Sequence, residues 1–226
     1  AGTTQTYEQQ SNLLVSSVRL SVCTCPSDIP NTAKSANYNG TKYFITQHNY
    51  LVNVGNIDYS QGKNGKLTDQ TTIETTYNGG KTLKFLGAPF ARTKQFTLQD
   101  VSDGTSNTLM LAEVNQGQDA DFRGLTWWAP GSGFTVYRTP NDPKFDYISN
   151  GNGAPGCVPS SQNPLNADCQ AQASPDWNAF AARSRHPGGV NVALCDGSVR
   201  FVTNSVDWTV WQALGTSQGG EVVGNH

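Results

Sequence analysis

The chain has few charged side chains and no excess of basic ones. Lysine and arginine number 15, aspartate and glutamate number 17, and charged residues make up 14% of the sequence. Proteins that bind nucleic acid carry a basic patch or stripe, because neutralisation of the phosphates supplies much of their affinity. A net charge of −2 without a basic cluster therefore argues against nucleic acid as a partner.

Long apolar runs are also missing. No window approaches the roughly 18 consecutive apolar residues that predict a membrane-spanning helix. The first residues do not show the charged region followed by an apolar run that is typical of a signal peptide. We therefore expect the chain as given to be soluble and to make no membrane contact by itself.

Histidine and cysteine are few and scattered. The sequence contains three histidines and five cysteines, with no pair at the spacing of a zinc site and no Walker, HExxH or dinucleotide-binding motif. Residues 215–219 form a G-x-S-x-G string, but it follows a predicted helix and leaves no room downstream for the Asp and His of a triad. The sequence predicts no catalytic residue and no metal site, and it predicts that Cys23, Cys25 and Cys195 are buried thiols.

Turn-forming residues, in contrast, are abundant. The 23 glycines, the 11 prolines and the Asn-Gly pairs that begin at residues 39, 64, 78, 150 and 152 predict many turns between short strands. A chain of 226 residues that is 36% hydrophobic can bury one large core. We predict a single α+β domain over residues 1–226, dominated by antiparallel strands. Residues 1–17 would form a connector helix and residues 18–226 a β-rich head with long loops.

The strongest local pattern lies at residues 190–202, where two runs of alternating apolar residues flank Asp196-Gly197. Asp-Gly tolerates the positive φ angles of a two-residue type I′ turn, so the pattern predicts a β-hairpin. With a two-residue loop, alternation places five side chains on the core face: Val190, Val192, Leu194, Val199 and Phe201. We expect this hairpin to be central in the sheet.

Other segments show weaker patterns. The predicted elements are a helix over 6–16, an extended stretch over 18–25, one or two strands over 42–54, a buried strand over 108–114 and a helix over 205–214. Asn204 is the predicted N-cap of the last helix. Trp127 and Trp128 are expected on a strand, where one would face the core and the other would be exposed or covered by a loop.

Two further predictions concern loops. Cys157 and Cys169 bracket a polar, proline-containing loop with little packing of its own, so we expect a disulfide there that contributes about 3 kcal/mol. Four oxygen-bearing side chains resemble a calcium loop only loosely, because the glycine is misplaced for an EF-hand: Asp58, Ser60, Asn64 and Asp69. A structural calcium ion is the one cofactor that the sequence leaves open.

Four short motifs resemble those of one known family. They are Cys25-Pro26-Ser27-Asp28, the run from Asp100 to Glu113, His186 with Asp196-Gly197 ten residues later, and Gly219-Gly220-Glu221-Val222-Val223. The motifs and their order resemble the DUF1559 family of prepilin-type, processing-associated H-X9-DG proteins, which is abundant in planctomycetes. We expect structural roles for the motif residues His186, Asp196, Gly197, Asp103, Gly104, Ser106, Asn107 and Glu113.

The resemblance implies the head of a pseudopilin-like protein. Such a head would be a non-enzymatic, exported subunit that packs with copies of itself or related pilin-like subunits in a filament or secretion-associated assembly. The family's hydrophobic N-terminal helix, which would anchor the protein, is not in the sequence, and either truncation or natural processing would account for this.

Within the motifs, we expect Glu113 to accept backbone amides and His186 to bond to the backbone of a loop. A hairpin strand separates His186 from Asp196, so the two are not expected to form a catalytic pair. The alternative function is an extracellular module that binds a glycan or another ligand, with Trp127 or Trp128 stacked on a sugar ring. An enzyme is the least favoured class.

Overall fold

The computed structural model describes residues 6–9, 11–61, 70–72, 82–91, 95–149, 156–172 and 178–221. Within these ranges the α-helices are α1 (Asn12–Ser16) and α2 (Trp208–Gly215). The strands are β1 (Lys34–Tyr38), β2 (Thr41–Ile45), β3 (Tyr50–Asn53), β4 (Gln70–Thr72), β5 (Thr82–Lys84), β6 (Leu109–Glu113), β7 (Gly133–Phe134), β8 (Asp146–Ser149), β9 (Cys169–Gln172), β10 (Gly189–Leu194) and β11 (Val199–Thr203). Short 3-10 helices lie at Ser21–Cys23, Leu98–Asp100 and Ala129–Ser132.

The largest sheet has the strand order β11-β10-β6-β3-β7. Its neighbours are antiparallel except for the short parallel pair of β3 and β7. The predicted buried strand over 108–114 is confirmed as β6, the middle strand, on which Leu109 and Ala112 are fully buried. The core combines this sheet with Trp211 and Leu214 of α2. The described chain is therefore an α+β fold with mostly antiparallel strands, as predicted.

The predicted hairpin is present, but its loop has three residues instead of two. Leu194 N donates to Ser198 O, and Gly197 N donates to Leu194 O, so residues 195–197 form the loop. Gly197 has φ +85°, as a type I turn followed by a left-handed residue requires. The extra loop residue shifts the pairing by one position, so that Ala193 lies opposite Val199.

A shift of one residue moves each side chain of a strand to the opposite face of the sheet. Val199 and Phe201 are therefore 72% and 49% exposed, whereas Val202 is buried. The prediction that Val199 and Phe201 face the core is wrong for this reason. The hairpin is also not central, because β11 is the edge strand of the sheet and only β10 is paired on both sides.

The C-terminal helix is confirmed, with a different N-cap. The side chain of Asp207 accepts hydrogen bonds from the amides of Thr209 and Val210 and so caps α2. Asn204 lies too early for this role, and its own amide donates to Gly188 O.

The N-terminal part is less regular than predicted. α1 covers only Asn12–Ser16, and the stretch 18–25 contains a 3-10 turn at Ser21–Cys23 instead of a strand. Side-chain hydrogen bonds hold this stretch, since Arg19 donates to the carbonyls of Gln47 and Asn31. Within the described ranges, no helix is both long enough and apolar enough to cross a bilayer.

Candidate functional site

Three of the sequence motifs each supply one side chain to a single cluster formed by Cys25, Glu113 and His186. Cys25 Sγ lies 3.5 Å from His186 Nε2, and His186 Nε2 lies 3.2 Å from Glu113 Oε1. The ligand atoms of all three lie within 4.8 Å of one another. Residues that are 73 to 161 positions apart in the chain therefore meet at one point.

The sheet positions Glu113. It is the last residue of β6, and its side chain is 1% exposed. Its Oε2 accepts a 2.7 Å hydrogen bond from the amide of Asn191 in the neighbouring strand β10, and its Oε1 accepts one from Asn191 Nδ2 at 3.1 Å. The carboxylate thus joins the end of β6 to the start of β10, in agreement with the expectation that it accepts a backbone amide.

A short loop ahead of β10 positions His186. The amide of His186 donates to Ser184 Oγ, which in turn donates to Gly189 O. The imidazole itself contacts the Glu113 carboxylate and the Cys25 thiol, and its side chain is 28% exposed. The expected bond from the imidazole to backbone is therefore corrected: the loop is held by Ser184, and the ring faces the cluster.

A polar network fixes Cys25 beside the sheet. The amide of Cys25 donates to Asn49 Oδ1, and Asn49 Nδ2 donates to Asp28 Oδ2. Asp28 also accepts from the amide of Gln116 and from Arg185 Nε, the latter at 2.6 Å. The first motif is thus tied both to the chain that follows β6 and to the residue before His186.

The surroundings of the cluster are tightly packed. Burial raises the pKa of Tyr50, and the charges of Glu113 and Cys25 and hydrogen bonds to both raise it further. A narrow cleft borders Cys25, Glu113 and Asn115. A thiol, an imidazole and a carboxylate in one cluster form a donor set that transition metals accept.

The other motif residues connect loops at the opposite end of β10. The carboxylate of Asp103 accepts from the amides of Gly219 and Gly220, at 2.8 and 2.9 Å. The amide of Asp196 donates to Thr105 O, so the hairpin loop packs on the loop that contains Asp103. All four motifs therefore make their contacts around β6 and β10.

The chain belongs to the DUF1559 family. Residues 1–209 match the family model described as a protein of unknown function (DUF1559). Neither the curated proteins nor the solved structures that were compared with this chain contain a match. The family assignment made from the motifs is therefore confirmed, and it carries no assigned activity with it.

The remaining residues of the second DUF1559 motif shape its turn. Gly104 has φ +98°, and the amide of Asn107 donates to Gly104 O. Ser106 is exposed.

The Asp196 side chain accepts from the amide and hydroxyl of Ser198, and these two hydrogen bonds lower the pKa of Asp196. Asp196 and His186 lie beyond opposite ends of β10, so the structure does not bring them together.

The predicted disulfide between Cys157 and Cys169 is present, and Cys23, Cys25 and Cys195 are free. The bridge joins the loop before Pro159 to strand β9, whose first residue is Cys169. The short, polar, proline-containing loop between the two cysteines was sufficient to predict this disulfide.

The tryptophan pair lies in a turn and not on a strand, and both rings are half-buried. Trp127 donates from its ring nitrogen to Thr46 Oγ1, and Trp128 packs edge-on against Phe122. The expectation that the pair lies on a strand is therefore wrong, and a turn does not impose the alternation by which one ring would be core and the other exposed or covered by a loop. Stacking of either ring on a ligand stays a prediction.

The loosely predicted calcium loop is described only in part. The hydroxyl of Ser60 donates a hydrogen bond to the carboxylate of Asp58, and Asp58 is buried. Asn64 and Asp69 lie outside the described residues.

Sequence reasoning missed the meeting of the three motifs. Cys25 was expected to be a buried thiol and His186 a residue bonded to backbone, and neither expectation points to the other residue. The usable signal was the set of motifs itself, since three of them each contain at least one residue with a metal-binding side chain.

Proposed function

We propose that this chain is the head of a non-enzymatic, exported structural subunit in a filament or secretion-associated surface assembly. The family resemblance supplies the type of assembly. Its partners would be copies of itself or related pilin-like subunits.

The observation that carries this proposal is a concentration of exposed apolar side chains near the N-terminus. Among the described residues, five large hydrophobic side chains that are more than 40% exposed lie between residues 14 and 22: Leu14, Val15, Val18, Leu20 and Val22. We call these five residues the N-terminal apolar surface. All five lie within nine residues of chain, and exposed apolar side chains that form a contiguous patch are typical of a surface that packs against another protein.

The edge of the main sheet supports the same function. β11 is paired only with β10, and Val199 and Phe201 of β11 are exposed. An exposed edge strand with apolar side chains favours pairing with another chain. The polar side chains of the motifs, by contrast, hold the fold together: Glu113 joins two strands and Asp103 binds the chain after α2.

A further observation supports an exported protein. A disulfide such as Cys157–Cys169 persists in oxidising compartments and is rare in the cytosol.

The test is assembly in the source cells, with cell-surface material analysed by electron microscopy and by chemical cross-linking. The variant carries Val18→Ser and Val22→Ser, and the control carries Leu98→Ser, which is exposed but lies elsewhere. We expect the double variant to keep the thermal stability of the wild type and to be lost from the assembly, while the control is retained.

The glycan alternative is tested with the same proteins on a glycan array. Discrete glycan binding by a protein that never assembles would overturn the structural function. If the Val18→Ser, Val22→Ser variant enters the assembly as the wild type does, the N-terminal apolar surface is not the surface that packs against other subunits.

A further inference from the structure

We propose that Cys25, Glu113 and His186 bind one zinc ion through Sγ, Oε1 and Nε2. The proposal does not depend on the assembly function, because it rests on the chemistry and separation of three side chains. It replaces the sequence-based expectation of no metal. Zinc takes thiolate, imidazole and carboxylate ligands, and sites with three protein ligands leave the fourth position to water.

The separations of the donor atoms fit a tetrahedral site. Zinc bonds of about 2.3 Å to sulfur and about 2.0 Å to nitrogen or oxygen place S and N about 3.6 Å apart, and N and O about 3.3 Å apart. The corresponding distances are 3.5 Å from Cys25 Sγ to His186 Nε2 and 3.2 Å from His186 Nε2 to Glu113 Oε1. The third distance, from Sγ to a carboxylate oxygen of Glu113, is at most 4.8 Å and would close to about 3.6 Å on binding.

The charges of the cluster also fit a divalent cation. Glu113 is almost fully buried, and a buried carboxylate requires a positive partner. Among the contacts that the described residues make with this carboxylate, Asn191 donates from neutral amide groups, and His186 is itself a ligand of the proposed site. A zinc ion would meet this requirement and would also balance the thiolate of Cys25.

The neighbours of the ligands hold them in place before a metal arrives. Asn191 donates to both oxygens of Glu113, and Asn49 accepts from the amide of Cys25. Such supporting hydrogen bonds orient metal ligands and strengthen binding. The His186 side chain is 28% exposed, which gives an ion a route from solvent to the cluster.

A hydrogen-bonded cluster without metal would give similar distances, so the test must detect the metal itself. The 226-residue protein is stripped with a chelator, titrated with zinc chloride and analysed for bound metal after dialysis. We expect one zinc per chain in the wild type, and binding weakened by at least about 100-fold in Cys25→Ser and in His186→Gln. Cys23→Ser is the control, because it removes a thiol from the same segment and should bind zinc as the wild type does.

A second measurement uses the wild type alone and so decides the matter even if the variants do not fold. Cobalt chloride should produce a thiolate-to-cobalt charge-transfer band, and zinc should protect Cys25 but not Cys23 from alkylation, as mapped by mass spectrometry. A wild type that retains no stoichiometric zinc, shows no thiolate band and leaves Cys25 unprotected would overturn the proposal. Unchanged zinc binding in folded Cys25→Ser and His186→Gln would overturn it as well.

Discussion

Gly188 and Gly189 are adjacent glycines with different structural reasons for having no side chain. Gly188 has φ +85° and open space around the position of a Cβ, so only its backbone conformation disfavours alanine. A Cβ on Gly189 would lie 2.2 Å from Val202 O of the paired strand, so alanine there would force the hairpin strands apart.

We therefore expect Gly188→Ala to lower the free energy of unfolding by about 1 kcal/mol and Gly189→Ala to lower it by about 3 kcal/mol. Urea denaturation of the two variants measures both costs. Gly197→Ala is the control, since Gly197 also has φ +85° with open space and should match Gly188→Ala. Equal costs for all three variants would contradict the close approach at Gly189.

The cysteines should differ in reactivity. Burial, and next the charge of Asp196, raise the pKa of Cys195 to about 11, so little thiolate is present at neutral pH. Because the thiolate is the reactive form, we expect iodoacetamide to modify Cys195 slowly in the folded protein.

After denaturation without reductant, three thiols should react, and with reductant five should react. Five reactive thiols without reductant would show that Cys157 and Cys169 are not bridged.

At the scale of the element, the hairpin of β10 and β11 allows a test of its register. Val190 is fully buried and Val199 is 72% exposed, although the two-residue loop would place both on the core face. Val and Thr have nearly the same shape, so Val→Thr mainly adds a hydroxyl group. Val190→Thr should lower the free energy of unfolding by about 1–3 kcal/mol, because the hydroxyl is buried.

Val199→Thr should change the free energy of unfolding by less than about 0.5 kcal/mol, since the hydroxyl would face solvent. Thermal or urea denaturation of the two single variants gives the comparison. A large cost at both positions would favour the two-residue loop and would contradict the register of the structure.

The ends of the elements show why local patterns were incomplete. Asn204 and Asp207 are both suitable N-cap residues. The path that the chain takes after β11 determines that α2 begins after Asp207. For residues 18–25, the β-branched residues favour a strand, but no strand among the described residues pairs with them, and Arg19 holds the segment instead. A strand requires a neighbour, which lies elsewhere in the sequence.

At the scale of the whole molecule, a buried charge network joins distant segments. Asp146 of β8 accepts from Arg183 and from Arg123, and Arg123 also pairs with Asp121. Burial alone would raise the pKa of Asp146, but the charges of Arg183 and Arg123 and the hydrogen bonds outweigh burial and lower this pKa. The network ties the chain before β10 to the disulfide region, since the Asp121 carboxylate also accepts from the amide of Val158.

A carboxylate whose pKa is lower in the folded state stabilises the fold above its unfolded pKa, and this contribution is lost as the pH falls through the folded pKa. We therefore expect stability to decline below about pH 4. Asp146→Asn should lower the free energy of unfolding at pH 7 by about 3–5 kcal/mol, because it removes one carboxylate charge from two buried guanidinium groups, those of Arg123 and Arg183.

Urea denaturation from pH 7 to pH 3 measures the effect, and the difference between wild type and Asp146→Asn should shrink towards the acid end. Asp196→Asn is the control, because Asp196 is exposed and solvent weakens the hydrogen bonds that lower its pKa, so its loss should matter much less than that of Asp146. If the difference in the free energy of unfolding between the wild type and Asp146→Asn stays constant with pH, this would contradict a lowered pKa of Asp146 in the folded state.

The sequence by itself determined the features that depend on neighbouring residues. The Asp196-Gly197 turn, the buried strand at β6, the helix at α2 and the Cys157–Cys169 bridge were each predictable, because turn chemistry, apolar patterns and loop closure act over short stretches of chain. The motifs were also sufficient to place the chain in its family.

Only the tertiary structure decided the register of the hairpin, its place at the edge of the sheet and the meeting of Cys25, Glu113 and His186. Two- and three-residue loops both suit Asp-Gly and both leave Val190 and Val192 facing the core, whereas the three-residue loop turns Val202 inward in place of Val199 and Phe201. Glu113 and His186 meet because the pairing of β6 with β10 brings their segments together, and Cys25 is held beside them by hydrogen bonds through Asn49 and Asp28. The motifs contain the three residues, but long-range strand pairing leaves no trace in local spacing, so the sequence did not show that the three meet.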